Sequence, residues 1–325
     1  LITRLAPSPT GALHLGNVRT FLVTWAIARK LNWHIVLRIE DLDGPRIKPG
    51  AGAAAIATLR WLGLDWDSGP YTQSDNLAPY AQALALLQDR GLAFPSDLTR
   101  QQLEAALSAP QEGTHEARFP ASLRPAWFSP GSPVPMNART DATNWRFATP
   151  PGAVEFADRL AGPQRHTPAD SIGDFIIWTK SGTPAYQLAV VVDDARQGIT
   201  DVIRGDDLLD SAARQLLLYR ALGLAPEPRY WHLPLVLGPD GRRLAKRHGD
   251  SRIDTYRALG VPPEAIIGLL AHWTLPPGQR PDRPEPTSAR EFMDALDPTT
   301  IPRPPLSPCT FTPEDDRWLR AQART

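Results

Sequence analysis

The first seventeen residues constrain the fold of this chain more than any other stretch. Residues 1–5 form a short, mostly apolar run that includes Arg4, and the prolines and Gly11 that follow prevent regular structure. From about Gly16, apolar residues recur at helical spacing, at positions 18, 21, 22, 25 and 28. This order predicts a strand, a turn and a helix. The first turn of such a helix presents unpaired N–H groups and a partial positive charge, which favour a phosphate.

The rest of the chain alternates predicted strands with predicted helices, which indicates an α/β fold. The run at 33–39 is β-branched and apolar and is followed by Glu40, Asp41 and Asp43, so we expect a buried parallel strand with acidic residues at its carboxyl end. Ligands of open α/β sheets bind at such ends. Further strands are predicted at 175–178, 185–192 and 199–203, a hairpin turn at 180–182, an exposed acidic turn at 204–207, and helices at 51–62, 77–90, 208–222 and 264–273.

Proline spacing divides the chain into three parts. Prolines at 110, 120, 125, 130, 133 and 135 interrupt regular patterns, while 101–107 favours a short helix and 143–148 alternates like a half-exposed strand. We therefore expect an inserted small α+β module at 96–167, within a larger α/β domain at 1–95 and 168–260. Residues 261–325 are predicted to form a Pro-rich, helical C-terminal region, with helices that start after Ser288 and Thr312 as N-caps.

Composition argues against several classes of function. The 325-residue chain carries 35 basic and 35 acidic side chains, and this balance argues against a general polyanion binder. Because Cys309 is the single cysteine, we expect neither an intramolecular disulfide nor a cysteine-based zinc site. Such low cysteine usage is typical of proteins in a reducing cytoplasm, and we expect that location here. Arg29 and Lys30 interrupt the apolar stretch of the first predicted helix, so we expect no membrane span and no signal peptide.

The glycines of the first turn match neither the dinucleotide fingerprint nor the P-loop. Arg4-Leu5-Ala6-Pro7-Ser8-Pro9-Thr10-Gly11, followed by His14-Leu15-Gly16-Asn17, instead resembles the first signature, HIGH, of class I aminoacyl-tRNA synthetases, in the form found in glutamyl-type enzymes. Later segments are also similar to this family. Residues 38–43 and 203–215 match its second and third blocks, and Arg243-Leu244-Ala245-Lys246-Arg247 resembles its second signature, KMSKS.

This resemblance implies a fold, a reaction and a nucleotide site. The fold would be a Rossmann-like parallel sheet, and the reaction would convert ATP and glutamate to glutamyl-adenylate before transfer to a hydroxyl. Attack by an ionised carboxylate needs no general base, so catalysis would consist of positioning and of stabilising charge on phosphate oxygens. The implied ATP-binding residues, with Mg²⁺ on the phosphates, are His14, Gly16, Asn17, Arg243 and Lys246, of which His14 and Lys246 would be catalytic.

The resemblance also implies a glutamate pocket. A dicarboxylate with an ammonium group needs at least one bidentate arginine and one carboxylate. The implied residues are Arg4, Ala6, Ser8, Glu40, Tyr186 and Arg204. Simpler interpretations remain open: Arg4 and Glu40 could pair with each other, Tyr186 could be a core residue, His14 could only cap a helix, and 243–247 could be a solvated basic loop.

In this family the insert meets the acceptor end of tRNA, and its glutamyl-Q branch often holds zinc there. The corresponding positions are Ser96, Leu98, Phe119 and Leu123, which lack the thiolate and imidazole groups that zinc prefers, so we expect no metal. His115 and His166 lie in the same segment without partners at ligand spacing. We interpret both as surface or core residues.

We expect the residues that follow the second signature to be too few for the large helical anticodon domain of full glutamyl enzymes. The resemblance is therefore strongest to the glutamyl-Q branch, which attaches glutamate to the queuosine base of tRNA(Asp). We expect glutamate and tRNA, first of all tRNA(Asp), as partners of a cytoplasmic monomer. Two alternatives remain open: a truncated glutamyl-tRNA synthetase that charges the 3′ end of tRNA(Glu), and a non-catalytic paralogue that binds nucleotide or RNA.

Overall fold

The computed structural model describes residues 1–98, 118–139, 142–242, 244, 251–304 and 309–323. Its strands are β1 (Ile2–Leu5), β2 (His34–Ile39), β3 (Ser68–Thr72), β4 (Ala93–Ser96), β5 (Asn144–Phe147), β6 (Val154–Asp158), β7 (Gly162–His166), β8 (Phe175–Trp178), β9 (Asp201–Gly205), β10 (Arg229–Leu233), β11 (Val236–Leu237) and β12 (Cys309–Thr310). Its helices are α1 (Leu15–Lys30), α2 (Ala51–Trp61), α3 (Ala78–Asp89), α4 (Pro168–Ser171), α5 (Tyr186–Arg196), α6 (Leu209–Leu222), α7 (Ile253–Ala258), α8 (Pro263–Thr274), α9 (Ala289–Ala295) and α10 (Pro313–Ala321).

A layer of parallel strands carries the site. β1 pairs with β2, β2 with β3, and β9 with β10, in each case in parallel. β9 lies beside β1, because the Thr200 N–H donates to the Ile2 carbonyl at 2.9 Å and the Thr3 hydroxyl donates to the Asp201 carbonyl at 2.8 Å. The order across the layer is therefore β3-β2-β1-β9-β10. The structure confirms the predicted α/β class with a parallel sheet.

The first helix is the centre of the main apolar core. Along α1, Val18, Leu22 and Ile27 are fully or almost fully buried, and they belong to one cluster with Leu37 of β2 and Ile266 of α8. Val18 and Leu22 follow the predicted helical spacing, and every residue from Leu22 to Ala28 is buried, so the second half of α1 is enclosed on all sides by the core. The predicted strand, turn and helix over the first thirty residues are confirmed.

The predicted strand at 185–192 is wrong, because this segment forms helix α5. Every residue from Gln187 to Asp194 is buried. Residues 188–192 are all apolar and have no solvent-facing side, and periodicity then cannot distinguish a buried helix from a buried strand. The correction places Tyr186 in the first turn of a helix and Asp193 and Asp194 in its last turns. The preceding hairpin turn is confirmed, since the Thr179 N–H donates to the Thr183 carbonyl at 2.8 Å.

The predicted exposed turn at 204–207 is only partly correct. Arg204 is the fourth residue of β9 and is 4% exposed, while Asp207 is exposed as expected. Burial of this arginine is possible because several acceptors surround it, as described below. The sequence also gave no signal for the hairpin of β6 and β7, whose strands pair antiparallel.

A second, antiparallel sheet has the order β4-β5-β8. Its middle strand β5 confirms the predicted strand at 143–148, whereas β4 and β8 lie on either side of the expected insert. The hairpin of β6 and β7 contacts β10 of the parallel layer. The division at residues 96 and 167 stays a prediction, and the predicted helix at 101–107 lies outside the described residues.

The C-terminal region packs back onto the core. Val236 of β11 pairs in parallel with Cys309 of β12, and α10 contacts α8. The capping box at Ser288 is confirmed, because the Glu291 N–H donates to Ser288 Oγ at 3.2 Å and the Ser288 N–H donates to Glu291 Oε2 at 2.8 Å. Within the described ranges, the helices are too short or too polar to cross a bilayer.

Candidate active site

The first signature forms the turn between β1 and α1. His14 is the N-cap of α1, with an extended backbone (φ −114°, ψ 166°), and its N–H donates to Asn17 Oδ1 at 3.4 Å. A Cβ at Gly16 would lie 3.3 Å from the imidazole of His14, so glycine permits the ring to lie against the start of the helix. His14 does cap the helix, as the simpler interpretation held. That position also leaves it at the helix N-terminus, where a phosphate is favoured.

The segment that carries the second signature begins and ends beside this turn. After the signature, the Leu15 N–H donates to the Ser251 carbonyl at 3.0 Å, and the Ile253 N–H donates to the Leu13 carbonyl at 2.9 Å. Within it, the Leu244 N–H donates to the Val236 carbonyl at 2.9 Å. Arg243 and Lys246 themselves lie outside the described residues. Their flanks nevertheless tie the second signature to the first.

A buried arginine on α1 connects this helix to the segment before the second signature. Arg19, on α1, is 1% exposed; its Nη1 donates to the Pro234 carbonyl at 2.6 Å and its Nε donates to Thr274 Oγ1 at 3.1 Å. These bonds join α1 to the segment that leads into the second signature and to the end of α8. A charge-assisted hydrogen bond is among the stronger polar contacts in proteins. Arg19 therefore ties the helix of the first signature to the segment that leads into the second.

Of the six residues predicted to bind glutamate, three lie at the carboxyl ends of adjacent strands and a fourth lies beside them. Arg4 comes from β1, Glu40 directly follows β2, and Arg204 comes from β9. Tyr186, at the start of α5, lies within electrostatic range of all three. Tyr186 is 40% exposed, so it is not the core residue of the simpler interpretation. Parallel strands bring such positions together because their carboxyl ends share one edge of the sheet.

The other two residues that were predicted to bind glutamate follow β1 in the turn. Ala6 is half-buried, and Ser8 is exposed. The turn is attached to β2, because the Glu40 N–H donates to the Pro7 carbonyl at 3.1 Å. This bond sets the backbone of the turn beside Glu40.

The buried charges of the pocket form a network that the sequence reasoning did not assemble. Glu40 Oε1 lies 3.0 Å from Arg38 Nη2, and the same nitrogen lies 2.8 Å from Asp194 Oδ1. Arg4 Nε lies 3.6 Å from Asp194, so Arg4 and Glu40 do not simply pair with each other. Asp193 accepts from the hydroxyl of Tyr80 at 2.9 Å. Burial raises the pKa of Glu40, although the positive charges of Arg38 and Arg4 act in the opposite direction.

Arg204 is held by three acceptors of the protein. Its Nε donates to His232 Nε2 at 2.9 Å, its Nη1 to Gln215 Oε1 at 2.8 Å, and its Nη2 to the Leu208 carbonyl at 3.1 Å. The guanidinium also stacks over the ring of Tyr230, at 5.0 Å from the centroid. A guanidinium has five N–H groups. Within the described ranges, two of them are left for a ligand.

Sequence reasoning missed Arg38, Asp194, His232 and Asp158 as parts of the site. Arg38 and Asp194 were visible at the ends of predicted elements, but the error at α5 placed Asp194 at the end of a strand. His232 and Asp158 belong to β10 and the unpredicted β6. An isolated polar residue in a short strand carries no signal of its partner, so only the tertiary structure brings these side chains together.

The four positions that correspond to a zinc site have other roles here. The ring of Phe119 is fully buried, 5.9 Å from Phe94 and 4.2 Å from the guanidinium carbon of Arg146. Ser96 is buried at the end of β4, and Leu98 and Leu123 pack at the edge of the same apolar cluster. This donor set does not fit zinc. Among the residues that the structure describes, no three His, Cys, Asp or Glu side chains group as a metal would need.

Of the two histidines in the expected insert, the structure describes His166. His166 Nδ1 lies 3.0 Å from Asp210 Oδ1, and its ring stacks on Phe156 with centroids 5.7 Å apart. These are structural contacts, as expected. His115 lies outside the described residues.

Comparisons with known proteins agree with this geometry. The family described as tRNA synthetases class I (E and Q), catalytic domain, matches residues 1–301. A glutamyl-Q tRNA(Asp) synthetase of Symbiobacterium thermophilum is 46% identical over 315 residues, covering 94% of this chain and 95% of the relative. One from Nitratidesulfovibrio vulgaris is 40% identical over 331 residues, covering 99% of both.

Glutamate-tRNA ligases, which are longer than this chain, are also similar to it. A glutamate-tRNA ligase of Pelobacter propionicus is 36% identical over 318 residues, which are 98% of this chain and 65% of the ligase. The crystal structure of a glutamate tRNA ligase from Elizabethkingia meningosepticum, in complex with its amino acid, superposes with a TM-score of 0.80 at 26% identity. It covers 98% of this chain and 68% of that one.

Proposed function

The chain belongs to the class I tRNA synthetases of the glutamate and glutamine type, an ATP-using family of tRNA ligases, and from this premise we propose that it activates glutamate and transfers it to the queuosine base of tRNA(Asp). The observation that carries the glutamate part is the gathering of Arg4, Glu40 and Arg204 at one edge of the parallel sheet. Glutamate carries two carboxylates and one ammonium. Two arginines and one buried carboxylate complement those three charges.

The activation step follows from the groups that surround this edge. The carboxylate of glutamate attacks the α-phosphorus of ATP; an O–P bond forms, the bond to the β-phosphate oxygen breaks, and pyrophosphate leaves. The nucleophile is already ionised at neutral pH, so the protein has to position it and to stabilise phosphate charge. In this proposal His14, the N–H groups at Gly16 and Asn17, Arg243 and Lys246 do so, and Mg²⁺ accompanies the phosphates.

The transfer step needs only an acceptor hydroxyl. Its oxygen attacks the carbonyl carbon of the adenylate, the bond to the phosphate oxygen breaks, AMP leaves, and the hydroxyl proton passes to solvent or to the departing phosphate. The tRNA(Asp) acceptor is supported by relatives of that name at 40–47% identity, of which this chain covers 84–99%, against 36–40% identity and 56–65% coverage for relatives named glutamate–tRNA ligase.

Glutamate-dependent exchange of pyrophosphate into ATP tests the activation step. The proposal predicts exchange without tRNA, with aspartate and glutamine as negative controls. Exchange that requires tRNA(Glu) would instead indicate an ordinary glutamyl-tRNA synthetase. No exchange with either tRNA(Glu) or tRNA(Asp) would contradict activation and favour a paralogue that only binds nucleotide or RNA.

A further inference from the structure

Behind Arg204 lies a buried pair of titratable residues that the chemistry above does not use. His232 of β10 is fully buried, and Asp158, at the end of β6, is 4% exposed. Asp158 Oδ2 lies 2.6 Å from His232 Nδ1, and His232 Nε2 lies 2.9 Å from Arg204 Nε. The three side chains therefore form one hydrogen-bonded line that ends at the pocket.

The chemistry of the three groups fixes where the proton of the imidazole lies. A guanidinium only donates hydrogen bonds, so the 2.9 Å contact is a hydrogen bond only when His232 Nε2 accepts from Arg204 and carries no proton. The proton is then on Nδ1, which donates to Asp158 Oδ2. The imidazole is neutral in this arrangement. Burial lowers the pKa of His232 and the charge of Arg204 acts in the same direction, whereas Asp158 and the Leu208 carbonyl act in the opposite direction.

The orientation of Asp158 is fixed by the backbone. Its Oδ1 accepts from the N–H groups of Leu160 at 2.9 Å, Ala161 at 2.7 Å and His232 at 3.2 Å. Its Oδ2 is left for the imidazole. The carboxylate thus presents an acceptor to Nδ1, and this selects the tautomer that Arg204 requires.

We propose that His232 and Asp158 are positioning residues for Arg204: they fix the plane of the guanidinium through Nε, so that its unused Nη N–H groups remain available to a substrate carboxylate. The inference rests on the proposed glutamate pocket. Gln215 and Leu208 hold the two Nη atoms, but neither constrains Nε. The tautomer of His232 therefore decides whether the guanidinium is held at all three nitrogens.

Asp158→Asn tests this inference with little change in shape. The three backbone donors at Oδ1 require the amide oxygen at that position, so the amide NH₂ faces His232 Nδ1. Nδ1 must then accept, the proton moves to Nε2, and the hydrogen bond from Arg204 Nε to His232 Nε2 is lost. We expect the KM for glutamate in pyrophosphate exchange to rise roughly tenfold to a hundredfold, with the KM for ATP within about twofold of wild type.

Two control variants separate the possible results. Asp174→Asn is the matched control: Asp174 is 1% exposed and pairs with Arg124 at 2.7 Å, in contact with neither Arg204 nor His232, and we expect no change in the glutamate KM. Arg204→Ala should raise the glutamate KM. If it does and Asp158→Asn does not, the positioning role is wrong while the pocket stands. If Arg204→Ala itself has no effect, the pocket of the proposed function is wrong, and the inference falls with it.

A measurement on the wild-type protein keeps the inference testable if Asp158→Asn does not fold. The chain has seven histidines, so ¹⁵N labelling of histidine with His232→Gln as the assignment variant resolves the ring nitrogens of His232. We expect a protonated Nδ1 and an unprotonated Nε2 at neutral pH. A proton on Nε2, alone or together with Nδ1, would overturn the proposal.

Discussion

Replacing Glu40 by glutamine removes the negative charge that we assign to the ammonium group of glutamate. Glu40 is 8% exposed, so its charge acts in a poorly screened environment. A hydrogen bond to a charged group contributes about 1.5–3 kcal/mol, which corresponds to roughly a tenfold to 150-fold loss of glutamate affinity. The fold should tolerate the change, because Arg38 keeps Asp194 at 2.8 Å.

Pyrophosphate exchange measures this effect through the KM for glutamate, with the KM for ATP as the internal control. The raised pKa of Glu40 adds a second test. Because burial makes this carboxyl protonate at a higher pH than an exposed glutamate, the wild-type KM for glutamate should begin to rise, as the pH falls, before the pH reaches the ordinary pKa of 4.5. The Glu40→Gln variant should lack that rise over the same range. An unchanged glutamate KM, or an equal change in both KM values, would refute the assignment of Glu40.

Three further predictions address the second signature, the buried histidine and a helix cap. Lys246→Ala should lower the rate of adenylate formation by at least about a hundredfold and leave the KM for glutamate nearly unchanged, and a rate close to wild type would contradict the role of the loop. Because burial lowers the pKa of His232 below its ordinary 6.5, the unfolded chain binds more protons than the folded one just below pH 6.5. The free energy of unfolding should therefore fall as the pH falls through 6.5, measured by urea titration, and His232→Gln should show a smaller fall; an identical fall would argue that His232 is not buried and neutral. Ser288→Ala should lower the free energy of unfolding by about 1 kcal/mol and Ser288→Gly by only a few tenths, and equal losses would mean that the capping bond is not the cause.

Local sequence signals were sufficient to predict turns and helix caps, because these depend on a few residues that are close together in the chain. The strand, turn and helix around His14 follow from two prolines, a glycine and helical spacing, and the cap at Ser288 follows from a serine with a glutamate three residues later. The segment from Tyr186 onward failed because it is buried on every side. Only contacts with neighbouring elements decide whether such a run becomes a helix or a strand.

The site was predictable to a different extent. Arg4, Glu40, Tyr186 and Arg204 were expected through the resemblance to a family, and the structure brings them to one edge of the sheet. The residues that surround them, such as Asp194 and His232, were not expected. Their contacts join positions far apart in the chain: Arg4 meets Asp194, and Arg204 meets a histidine of the next strand. A single sequence does not record such pairings.

Transfer of labelled glutamate to tRNA(Asp) tests the central claim most directly. The substrate is queuosine-containing tRNA(Asp) without its 3′-terminal adenosine, and the control is the same truncated tRNA without queuosine. We predict glutamate incorporation into the first tRNA and none into the second, because the acceptor hydroxyl belongs to the modified base. Incorporation that requires the 3′-terminal adenosine, or that is equal with and without queuosine, would contradict the proposed function.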